Sequence, residues 1–219
     1  MTRTLVLVRH GETVGNSSVR YYGRTDVELS DLGRSQMRAA SRWLRTHLGS
    51  SHFATVIASP LRRALEGASI IVGADGPVFE IEEFVEVDFG RFEGLTAEEI
   101  REHYPADFER WNRDRLNPAF TYPEGESRAD FTKRVERGIQ RMLELIDSTV
   151  PLAPAAHDAP SANDPALVVA HRGVIRIVAN RLTGIEPQIE LGSIHILQRA
   201  NSASPWRAKS IDIVEHLAG

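Results

Sequence analysis

Leu5-Val6-Leu7-Val8-Arg9-His10-Gly11-Glu12-Thr13 is the stretch on which the reading of the fold depends. Four consecutive apolar residues predict a short strand covered on both faces, the pattern of a parallel sheet packed between helices. The run stops at a cation, an imidazole and a glycine. Open α/β sheets bind ligands outside the carboxyl ends of their strands. An Arg-His pair delivered there predicts a site for an anion, and it makes His10 a candidate nucleophile toward phosphoryl groups.

Composition narrows what surrounds that strand. The chain has 219 residues, enough for one large domain or two small ones, and 42% of them are hydrophobic, which supports a real core. A net charge of −4 gives no electrostatic basis for general binding to nucleic acid or to a membrane surface, so an anion site must be local. There is no cysteine, which excludes disulfides, thiolate metal sites and cysteine nucleophiles together. No leader pattern precedes β-type residues 5–8, and no apolar run is long enough to span a bilayer. A cytoplasmic protein is the expectation.

Working outward, Ser30 is a predicted N-cap for a helix that carries Leu32, Met37, Ala40, Trp43 or Leu44, and Leu48 and stops at Gly49. A second strand is expected at 54–58, followed by a helix capped by Ser59 with Pro60 in its first position. A third strand is expected at 78–81, then an extended segment at 84–87. Thr96-Ala97-Glu98-Glu99 has the form of a capping box. Residues 96–125 read as a helical insert rich in aromatic and basic residues. A long helix follows from Ser127 to about Ser148. The Pro/Ala-rich stretch at about 150–165 reads as a flexible surface loop. Ala166-Leu167-Val168-Val169-Ala170 is a second fully apolar strand. It ends in His171-Arg172-Gly173, with a helix from Val174. An edge strand is expected at 193–199 and a last short one at 208–214. The pattern implies one α/β domain over 1–219: a three-layer sandwich with a mostly parallel central sheet, helices on both faces and a small helical insert over the active site.

Three apolar strands thus end in chemistry: Arg9-His10-Gly11, Ser59-Pro60-Leu61-Arg62-Arg63 and His171-Arg172-Gly173. If the strand ends are neighbours, two imidazoles, at least two guanidiniums and a helix N-terminus converge. Guanidinium forks and free helix N–H groups both favour phosphate oxygens. The histidines could instead be a metal pair or hydrogen-bonded core residues. Adjacent arginines and the lack of a carboxylate at ligand spacing disfavour the metal.

At this point the chain resembles the histidine phosphatase superfamily, in its phosphoglycerate mutase-like branch. The resemblance rests on Arg9-His10-Gly11-Glu12-Thr13 with Asn16, on Gly23 through Ser30, and on Leu32-Gly33-Arg34-Ser35-Gln36. It continues through Ala58 to Ala64, Glu86 to Gly94, Pro123 to Ser127 and His171 to Arg176, in family order over nearly the whole chain. It implies His10 as the residue that becomes phosphohistidine and Glu86 as general acid. It implies Arg9, Arg62 and His171 around the phosphate, with Asn16 and Gly23 contributing to phosphate or substrate binding. No metal and no cofactor are implied. By residue chemistry alone Glu86 has rivals in Glu80, Glu82, Glu83 and Glu93. Arg63 is the alternative to Arg62, and it is expected to face solvent.

The segment Glu86-Val87-Asp88-Phe89-Gly90-Arg91-Phe92-Glu93-Gly94 and Pro123-Glu124-Gly125-Glu126-Ser127 are similar to the phosphatase subgroup. The expected activity is therefore hydrolysis of a small phosphomonoester of sugar, glycerate or nucleoside type. A bisphosphoglycerate-dependent mutase and a non-catalytic binder of phosphorylated ligands are the alternatives. Arg172 departs from the glycine usual after the second histidine, and alternation along a strand would turn it away from the pocket. Arg20, Tyr21, Tyr22, Arg24, Trp111, Arg113, Arg115, Phe120 and Tyr122 are candidate substrate selectors, though they suit an ordinary polar lid over an aromatic core equally well. The expected partner is a small phosphate ester, with no nucleic acid or membrane; a homodimer through an edge strand is compatible with the pattern.

Overall fold

The computed structural model describes residues 2–48, 52–73, 77–114, 116–148 and 164–218. The expectations for Gly49, for Arg115 and for most of the 150–165 loop lie outside the described residues.

Strand β1 (Arg3–Arg9) forms as predicted, and Leu5 to Val8 have no exposed surface. Burial on both faces needs neighbours on both sides, and the sheet supplies them. Its six strands run in the order β3 (Phe79–Glu80), β2 (Thr55–Ala58), β4 (Ala166–Ala170), β1, β5 (Ile194–Arg199), β6 (Arg207–Ile213). β1 and β4 pair in parallel with Val8 opposite Val169 and Arg9 opposite Ala170. β4–β2 and β2–β3 are also parallel, whereas β1–β5 and β5–β6 are antiparallel. The segment expected at the edge, 193–199, is therefore an inner strand, and β6 takes the edge. The apolar burial of Ile194, Ile196 and Leu197 reflects that inner place.

Alternation along β1 divides the core. Val6 and Val8 pack with residues of α1 (Asp31–His47) and α2 (Arg62–Val72). Leu5 and Leu7 pack on the other face with α5 (Arg128–Asp147) and α6 (Arg172–Thr183). Each such buried Leu or Val contributes about 1.5–3 kcal/mol. The molecule is an α/β sandwich with helices on both faces of a mostly parallel sheet.

Local chemistry sets most helix ends as read. Ser30 accepts from the Gly33 N–H, Thr96 and Glu99 form the capping box, and Ser127 caps α5. Two details differ. The helix after β2 begins at Arg62, two residues later than Pro60, with Leu61 at the cap position and no side-chain cap. The segment expected to extend through 84–87 begins with a 3₁₀ turn at Glu82–Phe84.

The insert consists of α3 (Ala97–His103) and α4 (Pro105–Arg113). Trp111 packs edge-on against Tyr21, Phe92 and Phe108, and Tyr122 packs against Phe89, Phe92 and Phe120. Trp111, Phe120 and Tyr122 are all buried. They hold the insert onto the 86–93 segment and present no face to a substrate. Arg20 is likewise committed, donating to Gly94 O and forming a bidentate pair with Glu99. Of the candidate selectors, Arg24 and Arg113 remain exposed.

Candidate active site

The parallel pairing of β1, β4 and β2 brings their carboxyl ends together. His10, Ser59 and His171 sit at those ends and are buried. The two imidazole rings meet edge-on with centroids 5.1 Å apart.

Their hydrogen bonds fix opposite tautomers. His10 Nδ1 lies 2.7 Å from Gly11 O. A carbonyl only accepts, so Nδ1 carries the proton and the Nε2 lone pair is left free. His171 Nε2 lies 2.7 Å from Ser59 Oγ. That hydroxyl already accepts from the Leu61 N–H at 3.4 Å, and its own hydrogen has no other acceptor among the described residues. Ser59 therefore donates to Nε2, and the His171 proton resides on Nδ1, a buried atom with no protein partner. One ring offers a lone pair, the other an N–H.

Both rings are neutral at physiological pH. Burial, then the charges of Arg63 and Arg9, pushes the His10 pKa well below the ordinary histidine value. Burial, Arg63, His10 and Arg9 act the same way on His171. Burial also lowers His195, on the neighbouring strand, to about 4. An unfolded histidine titrates near 6.5, so below that pH the unfolded chain takes protons that the folded chain refuses. Stability should therefore fall as pH drops from about 6.5 toward 5, by about 1.4 kcal/mol per pH unit for each of the three histidines. His195→Gln should remove its own share of that slope, up to about 1.4 kcal/mol per pH unit, in urea titrations at a series of pH values, with His216, also lowered by burial, contributing in both proteins; an unchanged slope would contradict the assignment.

The cations are Arg9 and Arg63. This reverses the expectation for the Arg62-Arg63 pair. Arg62 is largely exposed, and its backbone N–H and Nε donate to the Asp26 carboxylate at 2.8 and 3.1 Å. Arg63 has no exposed surface and donates to the carbonyls of Tyr22, Gly23 and Thr25 at 3.2, 2.6 and 2.8 Å. Its charge is the one that acts on both histidines. Arg9 Nη1 donates to Ile189 O at 2.9 Å. Burial lowers Arg9 and Arg63 to about 10 despite the opposing charge of Glu86, so both stay charged near neutrality. Each keeps a buried Nε with no protein partner, as His171 does at Nδ1.

Glu86 is the carboxylate of the site. It is buried, and its charge acts on both Arg9 and Arg63. Val87 N–H donates to Oε1 and Gly173 N–H to Oε2, each at 2.9 Å. The second of these comes from the first turn of α6, where free N–H groups favour a carboxylate. A Cβ at Gly173 would stand 2.4 Å from Glu86 Oε1, so this position must be glycine for the carboxylate to fit.

Two expected binding residues are placed elsewhere. Gly23 donates its N–H to Glu93 Oε2, and a Cβ there would lie 1.9 Å from Val87 O. Its role is close backbone packing beneath Arg63, and its amide is not available to a phosphate. Asn16 sits on an exposed turn at φ 70°, and its Oδ1 accepts from Ser18 Oγ at 2.5 Å. Among the described residues no hydrogen bond links it to His10.

Sequence reading missed the residues that hold these groups in place. Glu93, weighed only as a rival acid, accepts from the backbone N–H groups of Gly23, Arg24, Thr25 and Phe89 and so ties the 22–25 loop over Arg63. Arg134 of α5 donates to the carbonyls of Glu83 and Val85 at 3.0 and 2.7 Å and pairs with both oxygens of Glu126. It pins the backbone that presents Glu86. A signal existed: Arg134 stands three residues after Phe131, beside the buried stripe of the helix. Among the described residues no group of three or more His, Cys, Asp or Glu side chains could hold a metal ion. None of the described helices is long and apolar enough to cross a membrane.

A sandwich with paired histidines, two arginines and a carboxylate at the strand ends defines a phosphate-handling class, and the chain belongs to the histidine phosphatase superfamily (branch 1), whose family model matches residues 5–203. It is 37% identical over 142 residues to the bifunctional protein Rv2228c of Mycobacterium tuberculosis, covering 64% of this chain and 37% of that protein's length. It thus spans well under half of that relative. It is 34% identical over 163 residues to the 2,3-bisphosphoglycerate-dependent phosphoglycerate mutase of Methylorubrum extorquens, covering 72% and 74% of the two chains. The solved structure of mycobacterial glucosyl-3-phosphoglycerate phosphatase Rv2419c superposes with a TM-score of 0.74 at 27% identity, over 98% of this chain and 100% of that one.

Proposed function

We propose that the protein is a phosphomonoesterase that works through a phosphohistidine at His10. The observation that carries this is the pair of buried neutral imidazoles in opposite tautomers between two charged arginines. His10 Nε2 attacks phosphorus, forming the P–N bond as the ester P–O bond breaks. Arg9, Arg63 and the His171 Nδ1–H hold the equatorial oxygens, where charge accumulates. Glu86, which takes up a proton as the phosphate ester binds beside it, gives that proton to the departing alkoxide. It then takes one from the water that attacks phosphohistidine, releasing inorganic phosphate and restoring the free ring. The substrate is a small phosphorylated metabolite of sugar, glycerate or nucleoside type. The full-length likeness to a sugar-glycerate phosphatase supports hydrolysis.

Mutase chemistry is the second reading, favoured by the mutase relative. Phosphate release from a panel of monoesters, with and without 2,3-bisphosphoglycerate, separates them. We expect release that does not need the bisphosphate. A dominant, bisphosphate-dependent conversion of 3- to 2-phosphoglycerate would overturn the hydrolase.

Gly173→Ala tests the place given to Glu86. Displacing the carboxylate should lower kcat by about tenfold or more for alkyl phosphates, whose leaving groups need a proton. Nitrophenyl phosphate, which needs none, should lose much less. Equal losses on both would contradict Glu86 as the acid.

A further inference from the structure

Two histidines outside the pocket, His195 and His216, reach the backbone that holds the nucleophile. Gly192 and Ser193 lie immediately before β5, beside the end of β1. Ser193 O accepts the Arg9 N–H at 3.1 Å, and the Gly192 N–H donates to His10 O at 3.2 Å. Each of these two residues is tied in turn, through one histidine, to the segment that follows Arg207. The Asp212 N–H donates to His195 Nδ1 at 3.2 Å, so the His195 proton sits on Nε2 and is directed at Ser193 Oγ, 3.1 Å away. His216 Nε2 lies 3.0 Å from Gly192 O, and a carbonyl only accepts, so that nitrogen is the donor. Asp212 adopts φ 58° where the pairing of β5 and β6 shifts register. A residue other than glycine is strained there, and such strain persists where the surrounding contacts fix it.

We infer that His216 is a positioning residue for the nucleophile: from the 3₁₀ turn Glu215–Leu217 it holds Gly192, and Gly192 fixes the His10 carbonyl and with it the aim of the His10 ring. The inference rests on the nucleophile assigned above. Three bonds orient His10: its N–H to Ala170 O, its carbonyl to the Gly192 N–H, and its ring Nδ1–H to Gly11 O. The second sets the peptide plane leading into Gly11, whose carbonyl holds the ring, so losing it lets the ring turn. A displacement of about 1 Å at a reacting atom costs on the order of 10²-fold in rate. Packing reinforces the bond. A Cβ at Gly192 would lie 3.1 Å from Leu217 Cδ2 and 3.4 Å from Gln36 Cβ, so the turn and α1 close on this residue from two sides. Gln36 also accepts the Glu12 N–H at 2.8 Å, which steadies the same loop from α1. Asp212, His216 and Leu217 all lie beyond residue 203, where the family match ends.

His216→Phe and His216→Gln test this, with nitrophenyl phosphate in rapid-quench kinetics. Phenylalanine keeps a ring and loses the donor, whereas glutamine restores an N–H near the place of Nε2. His216→Phe should slow phosphoryl transfer to His10 about tenfold, while affinity for inorganic phosphate, by calorimetry, changes less than about twofold. The glutamine variant should come within about threefold of wild type. Exchange of the Gly192 N–H, read by NMR, should quicken in His216→Phe and stay slow in His216→Gln. Leu217→Ala loosens the same turn with His216 in place; it should slow transfer in the same way, and it carries the test if the phenylalanine variant does not fold. Transfer at the wild-type rate in His216→Phe would overturn the brace, as would a glutamine variant no faster than the phenylalanine one, or equal losses of transfer and phosphate affinity. Exchange needs no catalysis, which keeps the two readings apart. A wild type that never forms phosphohistidine fails the hydrolase reading, whereas Gly192 exchange equal in wild type and His216→Phe fails the brace.

Discussion

His10→Ala should abolish turnover, lowering kcat by at least about 10⁴-fold, while the protein stays folded. The size follows from the proposed step. Without Nε2 no covalent intermediate can form, and the neighbouring charges can only bind the ester. The fold should tolerate the change because the strand that carries His10 is held by Leu5 to Val8, all fully buried. The ring itself is a polar group in a buried place, with one hydrogen bond to the adjacent carbonyl. Circular dichroism and thermal melts should match wild type within a few degrees. Retained turnover in a folded variant would refute the nucleophile.

Arg63→Ala should be nearly as severe, whereas Arg62→Ala should cost less than about threefold in kcat/KM. Arg63 supplies the fully buried one of two charges beside the phosphoryl site, and loss of one such donor costs on the order of 10²–10³. It also satisfies three carbonyls of the 22–25 loop, so the variant should melt earlier. Arg63→Lys separates the two effects. A lysine keeps the charge but cannot reach three carbonyls in a fork, so activity should return only in part. Arg62 makes an exposed pair with Asp26, and such pairs contribute little. Equal losses at both positions would show that the buried placement of Arg63 does not decide phosphate binding.

The adjacent arginines also show where sequence reading stops. The two fully apolar strands, β1 and β4, were legible because burial on both faces leaves no polar position. Their ends placed His10 and His171 without further help. Choosing between Arg62 and Arg63 required the helix phase, since successive residues differ by about 100° around the axis. The expected start at Pro60 was two residues early, and the Ser59 hydroxyl read as a cap is instead bonded to His171. Arg172 shows a related limit, in the argument rather than in its exposed outcome. Strand alternation was applied to it, but β4 ends at Ala170 and Arg172 already belongs to α6.

Glu86 was found by motif, because a carboxylate near a strand edge carries no local mark of burial. What buries it lies far along the chain: the N–H of Gly173 and the guanidinium of Arg134. Arg134 and Glu93 went unassigned because the loops they hold are bound mostly through backbone groups, which leave no trace in residue identity. Aromatic residues of the insert looked equally suited to a substrate face and to a core. Packing around Trp111 and Tyr122 settled that they are core.

Rapid mixing of the protein with a phosphorylated substrate, alkaline quenching and mass spectrometry of the digested chain tests the central claim most directly. A phosphoryl group should appear on the peptide containing His10, be released by mild acid, and be missing from His10→Ala. Turnover with the phosphoryl group on no residue, or on His171 in place of His10, would contradict the account.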